Sequence, residues 1–205
     1  MNDAGRVIAG SARGTRLLSP GEGTRPIGDR VKETLFAILE PRLADANVLD
    51  LFAGSGACGI EGLSRGASHA ILVEHETAAC RVIEENLRRA RVYEKGAVVR
   101  ADALKYLKER AASEGPFDVV LIDPPYAEPH LLVAALTTIA AAAPTLLKPQ
   151  AWVVAKHFWR TPPPQTFGLL ASVRTRRFGE TGLAFYRRLD PPQADPTSGL
   201  EEAAR

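Results

Sequence analysis

Cysteine is scarce in this chain of 205 residues, with only Cys58 and Cys80 present. Two cysteines make no disulfide framework. With no Cys-x-x-Cys pair and no His/Cys cluster, no zinc site is expected and no metal is assigned. Both read as small core or helix-face residues. Long hydrophobic runs are missing too. Nothing approaches the ~20 consecutive apolar residues of a membrane span, and the richest stretch, Leu131 to Leu147, is Ala-rich and reads as broken by Pro144. Met1 to Gly5 is polar and lacks the apolar segment of a signal peptide. No membrane partner is therefore expected, and a cytoplasmic location follows by default. A large charge excess is also lacking, since a net charge of +2 is too small to demonstrate a polyanionic partner.

What is present suits one α/β domain with short appendages: 45% apolar residues for a core and 24% charged residues for a solvated surface. The charges are unevenly spread. Arg6, Arg13, Arg16, Arg25, Arg30 and Lys32 face only Glu22 and Asp29 in the first segment, and Arg174, Arg176, Arg177, Arg187 and Arg188 face only Glu180 near the end. The acidic tail from Asp190 partly hides this asymmetry.

Arg6 to Gly14 predicts a short strand and Gly-rich turn, Pro20 to Pro26 a loop, and Asp29 the cap of a helix whose face holds Val31, Leu35, Ile38 and Leu39. A regular alternation follows. Strands are predicted at Val48–Phe52, Ala70–Glu74, Ala97–Arg100, Phe117–Ile122 and Ala151–Lys156, with helices at Gly56–Arg65, about Glu76–Ala90, Ala103–Ala112 and the Ala-rich stretch between them. Continuously apolar strands alternating with helices imply a parallel sheet covered on both faces. Leu169–Phe178 and Leu183–Arg188, around Gly179-Glu-Thr-Gly182, predict a closing antiparallel hairpin, for seven strands in all. The expected organisation is a basic hairpin, loop and helix extension over residues 1–40, a catalytic domain over 41–189, and a disordered tail over 190–205, which is Pro-containing and has no apolar face.

Four motifs carry chemistry, each at the carboxyl end of a predicted strand. Asp50-Leu-Phe52-Ala-Gly54-Ser55-Gly56-Ala-Cys-Gly59 turns a strand into a helix where a nucleotide cofactor binds in such sheets. Alone, the loop fits NAD, S-adenosylmethionine or a mere tight turn. Asp50 shifts the balance, because a carboxylate repels a pyrophosphate and attracts the ammonium of a zwitterionic amino acid. Glu74 ends the next strand, where it can hold ribose hydroxyls, and Asp102, followed by Ala103, ends the third, where it can accept the adenine amine. Each acid alone is as readily a helix cap or a solvated carboxylate. The candidate cofactor-binding set is therefore Asp50, Phe52, Gly54, Ser55, Gly56, Glu74, Asp102 and Ala103, and the cofactor expected is S-adenosylmethionine. Asp123-Pro124-Pro125-Tyr126 ends the fourth strand. Its prolines remove two N–H donors and leave carbonyls free, Asp123 adds a carboxylate acceptor, and Tyr126 offers a stacking face. An acceptor-only pocket beneath an aromatic plate suits an NH2 group on a planar heterocycle, which makes Asp123, Pro124 and Tyr126 the candidate catalytic residues.

The arrangement resembles the class I, Rossmann-like methyltransferase fold with the amino-methyltransferase signature Asp/Asn-Pro-Pro-Tyr/Phe. From Arg6 to Arg188 it resembles more narrowly the RsmD-type 16S rRNA guanine-N2 methyltransferases. The likeness is carried by Arg6-Val-Ile-Ala-Gly, Arg25-Pro-Ile-Gly-Asp-Arg-Val-Lys-Glu-Thr-Leu-Phe, Asp50-Leu-Phe-Ala-Gly-Ser-Gly, Gly62-Leu-Ser-Arg-Gly-Ala, Asp123-Pro-Pro-Tyr and Phe178-Gly-Glu-Thr. The family more often has Thr or Ser at Ile27-Gly28, and commonly an acid at the end of the fifth strand, where this chain has Lys156-His157. The resemblance implies methyl transfer to the N2 amine of a guanine in 16S rRNA, guanine 966, presented naked or in a small-subunit assembly particle, by an enzyme taken as a monomer. Arg13, Arg16, Arg25 and Arg30 are the candidate RNA contacts.

Other readings share the signature. Adenine-N6 methyltransferases usually insert a target-reading domain, for which the 66 residues between Gly56 and Asp123, filled by regular units, leave no room. Glutamine-N5 methyltransferases usually carry Asn in place of Asp123. A methyltransferase-like scaffold that grips RNA without catalysis is the remaining class.

Overall fold

The computed structural model describes residues 3–21 and 27–189. Arg25 and the tail over 190–205 lie outside the described residues. The N-terminal arm carries β1 (Asp3–Arg6) and β2 (Arg16–Leu18), an antiparallel pair, followed by α1 (Asp29–Leu39). Then come β3 (Asn47–Leu51), α2 (Ala57–Ser64), β4 (His69–Glu74), α3 (Thr77–Arg89) and β5 (Gly96–Arg100). After them are α4 (Ala103–Glu109), α5 (Ala111–Glu114), β6 (Phe117–Ile122), α6 (Pro129–Leu146) and β7 (Leu147–Phe158). The last elements are β8 (Thr166–Phe167), β9 (Leu170–Phe178) and β10 (Thr181–Arg188).

The main sheet has the order β5-β4-β3-β6-β7-β10-β9-β8. β3 to β7 run parallel, and β10 is antiparallel to both neighbours. All seven expected strands are present. Two-residue β8 adds an eighth at the edge, and β1–β2 form a separate ribbon. Alternating strand residues feed two cores. Val48, Leu72, Leu121, Val154 and Phe185 pack toward Phe36, Leu39, Ile60 and Leu87 of α1, α2 and α3. Leu49, Val73, Val120, Val153 and Tyr186 pack toward Tyr106, Leu136 and Ile139 of α4 and α6.

Several expectations are corrected. Pro144 does not break α6: it lies in the last turn of a continuous helix, so the hydrogen bond it removes and the carbonyl it crowds are at the helix end, with only two residues beyond it. α6 is apolar enough in composition to span a bilayer, yet it buries Leu132, Leu136, Ile139 and Leu146 as a core helix. Asp29 is the first residue of α1 rather than its cap. Gly28 holds the cap position, and Asp29 pairs with Arg6 at 3.2 Å. The helix expected over Ala103–Ala112 divides at Arg110 into α4 and α5.

Lys32, counted from sequence among the surface charges, is fully buried. Its ammonium donates to the Arg6 carbonyl and lies 3.6 Å from Glu61, itself fully buried in α2. Glu61 also accepts from Ile8 N (2.8 Å), Ala9 N (3.0 Å) and Arg65 Nε (2.8 Å). Asn86 of α3 binds both backbone groups of Leu18. The arm is thus fastened to α2 and α3 by buried polar groups, with Ala4, Val7 and Leu17 in the same core as Phe36.

Candidate active site

A cavity of about 810 Å³ runs along the carboxyl ends of β3, β4, β6 and β7, with α1 and the arm on one side and the start of β10 closing it. One wall of it is the turn after β3. Phe52 there adopts φ 63°, a left-handed conformation that a bulky residue holds only when its surroundings impose it. Gly56, at φ 77°, turns the chain into α2, a conformation glycine adopts without penalty. Gly59 is needed for close approach, since a Cβ there would lie 2.7 Å from Leu72 Cδ2. That contact lets Gly59 N–H donate to Asp50 at 2.8 Å. Asp50 is almost fully buried, and its pKa is raised to about 8. Desolvation is the main cause, the Gly59 hydrogen bond opposes it, and the nearby Asp123 and Glu74 carboxylates add to it. A cationic group entering the cavity beside Asp50 would relieve that cost.

Glu74 organises the same wall. One oxygen accepts from Gly54 N (2.9 Å), and the other from His75 N (2.8 Å) and Glu76 N (2.9 Å). Three backbone donors leave roughly one of a carboxylate's four acceptor positions for a ligand. Asp50, Phe52, Gly54, Ser55 and Glu74 all line the cavity, whereas Gly56, Asp102 and Ala103 do not. Asp102 instead caps α4 by accepting from Lys105 N at 2.8 Å, from an exposed position at the end of the neighbouring strand.

The opposite half holds Asp123, Pro124, Pro125 and Tyr126. The Tyr126 hydroxyl meets Thr181 Oγ1 at 3.0 Å, and its ring sits 6.3 Å from that of Phe158, so the plate is fixed along two sides. Lys156 projects from the end of β7 and contacts both Asp123 oxygens, at 2.6 and 2.9 Å, with its ammonium 5.0 Å from the Tyr126 ring centroid. Burial pushes the Asp123 pKa up, and Lys156 pulls it back. Burial works against the Lys156 ammonium, but the Asp123 carboxylate outweighs it and raises that pKa.

Arg13, Arg16 and Arg30 are exposed on the arm and on α1, outside the cavity wall. The basic run near the end of the sequence divides, because β10 is antiparallel. Thr181 stands at the cavity edge, whereas Arg187 and Arg188 end up at the far edge, bonded to Gln150 and to the Leu147 carbonyl. Arg177 remains near the cavity edge, opposite Gly182. Its guanidinium stacks 3.5 Å from the Trp159 ring centroid, and its Nε donates to the Gly179 carbonyl at 3.0 Å. Lys156, Thr181, Phe178 and this Trp159–Arg177 stack were not singled out as site residues from sequence. Thr181 and Phe178 belong to the Phe178-Gly-Glu-Thr segment, which marked them as a unit without revealing what they touch.

The family described as "Conserved hypothetical protein 95" matches residues 5–187. Among curated proteins, "Ribosomal RNA small subunit methyltransferase D" of Haemophilus influenzae is 37% identical over 72% of this chain and 76% of that protein. The protein of the same name from Escherichia coli K12 is 41% identical over 59% of this chain and 60% of that one. Among solved structures, a hypothetical protein of Thermus thermophilus superposes with a TM-score of 0.75 at 31% identity, covering 88% of this chain and 97% of that one.

Proposed function

Since the chain belongs to the Conserved hypothetical protein 95 family, that of the RsmD-type methyltransferases, we propose that it methylates small-subunit ribosomal RNA from S-adenosylmethionine, at the N2 amine of a guanine. Guanine 966 is the position the sequence resemblance implies. One observation carries the reading: a single cavity joins the buried acids Asp50 and Glu74 to a recess beside Tyr126 lined by Asp123, Pro124 and Lys156. The cofactor half fits a zwitterionic amino acid joined to a nucleoside. Asp50 would face the ammonium and Glu74 the ribose, with the Phe52–Ser55 turn against the rest. When bound, the cofactor supplies an electrophilic methyl group on a sulfonium.

The chain's own residues then orient the nucleophile. The lone pair of an exocyclic guanine amine is delocalised into the ring, so the amine attacks poorly unless its nitrogen becomes tetrahedral. N–H bonds accepted by Asp123 and the Pro124 carbonyl favour that geometry, and Tyr126 fixes the ring plane. No strong base is needed before attack, because the methylated nitrogen sheds its proton readily. In folded RNA the amine is hidden, so the guanine must be splayed out onto Tyr126.

The test is labelled S-adenosylmethionine incubated with undermethylated small-subunit rRNA, naked and as assembly particles, followed by mapping of the modified base. Label on guanine N2 supports the proposal. Label on adenine N6, or none on either substrate, overturns it.

Two variants probe the halves separately. Glu74→Ala should weaken S-adenosylmethionine binding by about 1–3 kcal/mol, the range for deleting a charge-assisted hydrogen bond. Calorimetric affinity equal to the parent's would remove Glu74 from the cofactor site. Neutralising Arg13, Arg16 and Arg25 together should raise the KM for RNA and flatten its salt dependence, by roughly 0.7–0.9 in log–log slope for each phosphate no longer neutralised. An unchanged slope would place the docking face elsewhere, with the Trp159–Arg177 stack the next surface to probe.

A further inference from the structure

Lys156 is the one feature of the recess that an acceptor-only description does not contain. Its side chain is only 14% exposed and that of Asp123 28% exposed, and the ammonium bridges both carboxylate oxygens while standing over the Tyr126 ring. A positive donor therefore occupies the place where the edge of a base stacked on Tyr126 would meet Asp123. Any base that bonds to Asp123 must share the carboxylate with this ammonium or displace it.

Bases differ in what they offer to such a pair. The pairing edge of guanine presents, in order, the N2 amine, N1–H and the O6 carbonyl: two donors and then an acceptor. The two oxygens of a carboxylate are spaced to accept the first two together. A cation beside the second oxygen then faces O6. The pairing edge of adenine places the bare N1 lone pair where a carboxylate oxygen would stand and offers no carbonyl to the cation. Leaving a buried polar group unpaired in this way is the strong form of substrate rejection.

We infer that Lys156 is a specificity-determining residue: on base entry its ammonium slides from bridging both Asp123 oxygens onto one of them and donates to guanine O6, so that the Asp123–Lys156 pair reads a whole guanine edge rather than an amine alone. Asp123 takes the two N–H groups, Lys156 the carbonyl, and Tyr126 the ring face. The position of Lys156 at the end of β7 supports this role, because the ammonium is delivered from a strand held between β6 and β10 rather than from a loop. The inference rests on the guanine reading above and deepens it.

The experiment uses the full chain and one rRNA substrate made in two forms. One carries guanine at the target position. The other carries 2-aminopurine, which keeps the 2-amine but lacks both O6 and N1–H. The parent should prefer guanine in single-turnover transfer. Lys156→Met should slow transfer to guanine about ten- to a hundredfold, the discrimination carried by one good base-edge contact, while changing transfer to 2-aminopurine by less than about threefold. The preference for guanine thereby shrinks. Lys156→Arg, which restores a cationic donor, should recover part of it. S-adenosylmethionine affinity, measured by calorimetry, establishes that each variant has a folded site. Equal slowing on both substrates would mean that Lys156 acts only by holding Asp123, and would overturn the inference. So would unchanged rates on both. If the parent itself leaves the guanine unmethylated, the proposed function fails and this inference with it, an outcome that the parental arm alone identifies.

Discussion

Replacing Asp123 by Ala is expected to lower kcat about a hundred- to a thousandfold, the range found when one preorganised polar contact to the developing charge is deleted from an active site. S-adenosylmethionine affinity should stay near parental. Under the proposed function the carboxylate does two jobs that the substitution removes together. It accepts N–H from the amine as the nitrogen turns tetrahedral, and it anchors the Lys156 ammonium at 2.6 Å. Without it the Lys156 ammonium has no counter-charge in the recess and no fixed position beside the base. Asp123→Asn keeps one acceptor oxygen and loses the charge, so it should retain measurable transfer above the Ala variant. Single-turnover methylation of mapped rRNA reads the chemical step directly. Transfer by Asp123→Ala at the parental rate would show that the amine is held by other groups.

Glu61→Ala should destabilise the fold by about 3–5 kcal/mol, because one side chain balances a buried cluster. Its removal strands Lys32, whose side chain is 1% exposed, with the Arg6 carbonyl as its remaining partner among the described residues. It also takes away the acceptor of Ile8 N and Ala9 N and one of the two carboxylates that hold Arg65. For a chain of this size, such a destabilisation corresponds to a melting temperature lower by roughly 6–20 °C. Glu61→Gln keeps an acceptor for the two backbone N–H groups and should lose less. Urea unfolding monitored by circular dichroism is the measurement, and a change below about 1 kcal/mol in the Ala variant would show that the cluster is not an anchor. Because the arm carries Arg13 and Arg16, Glu61→Ala should also raise the KM for RNA before it affects cofactor binding.

How much of this was legible in the sequence depends on range. The parallel strands announced themselves because β3, β4 and β6 are largely buried on both faces and read as mostly apolar runs, interrupted by Asp50 in β3 and Asp118 in β6. Asp50, Glu74 and Asp123 could be placed at one edge because every parallel strand delivers its carboxyl end there. Long-range pairings were another matter. Lys32 and Glu61 are separated by a helix and a strand, and each looks like an ordinary surface charge until the arm folds over α2. Asp102 illustrates the opposite ambiguity: an acid after a strand is also an acid before a helix, and the structure gives its Oδ1 the cap of α4. Phe178-Gly-Glu-Thr181 stood out as a segment, but only the antiparallel placement of β10 shows that Thr181 reaches Tyr126 and that Arg187 and Arg188 point away from the site.

β10 follows β7 and β9 in the chain yet lies between them in the sheet. This makes the order of synthesis matter. A nascent chain can pair β3, β4, β5, β6 and β7 as they emerge and assemble the Asp50–Glu74 half of the cavity early. β9 has no neighbour on the inner side of the sheet until Thr181–Arg188 arrives, and until then the outer edge of β7 stays open to pairing with other chains. Thr181, the hydroxyl partner of Tyr126, comes with that same strand. Under the proposed function, the residues of the methyl-donor half therefore leave the ribosome before the strand that braces the base-binding half.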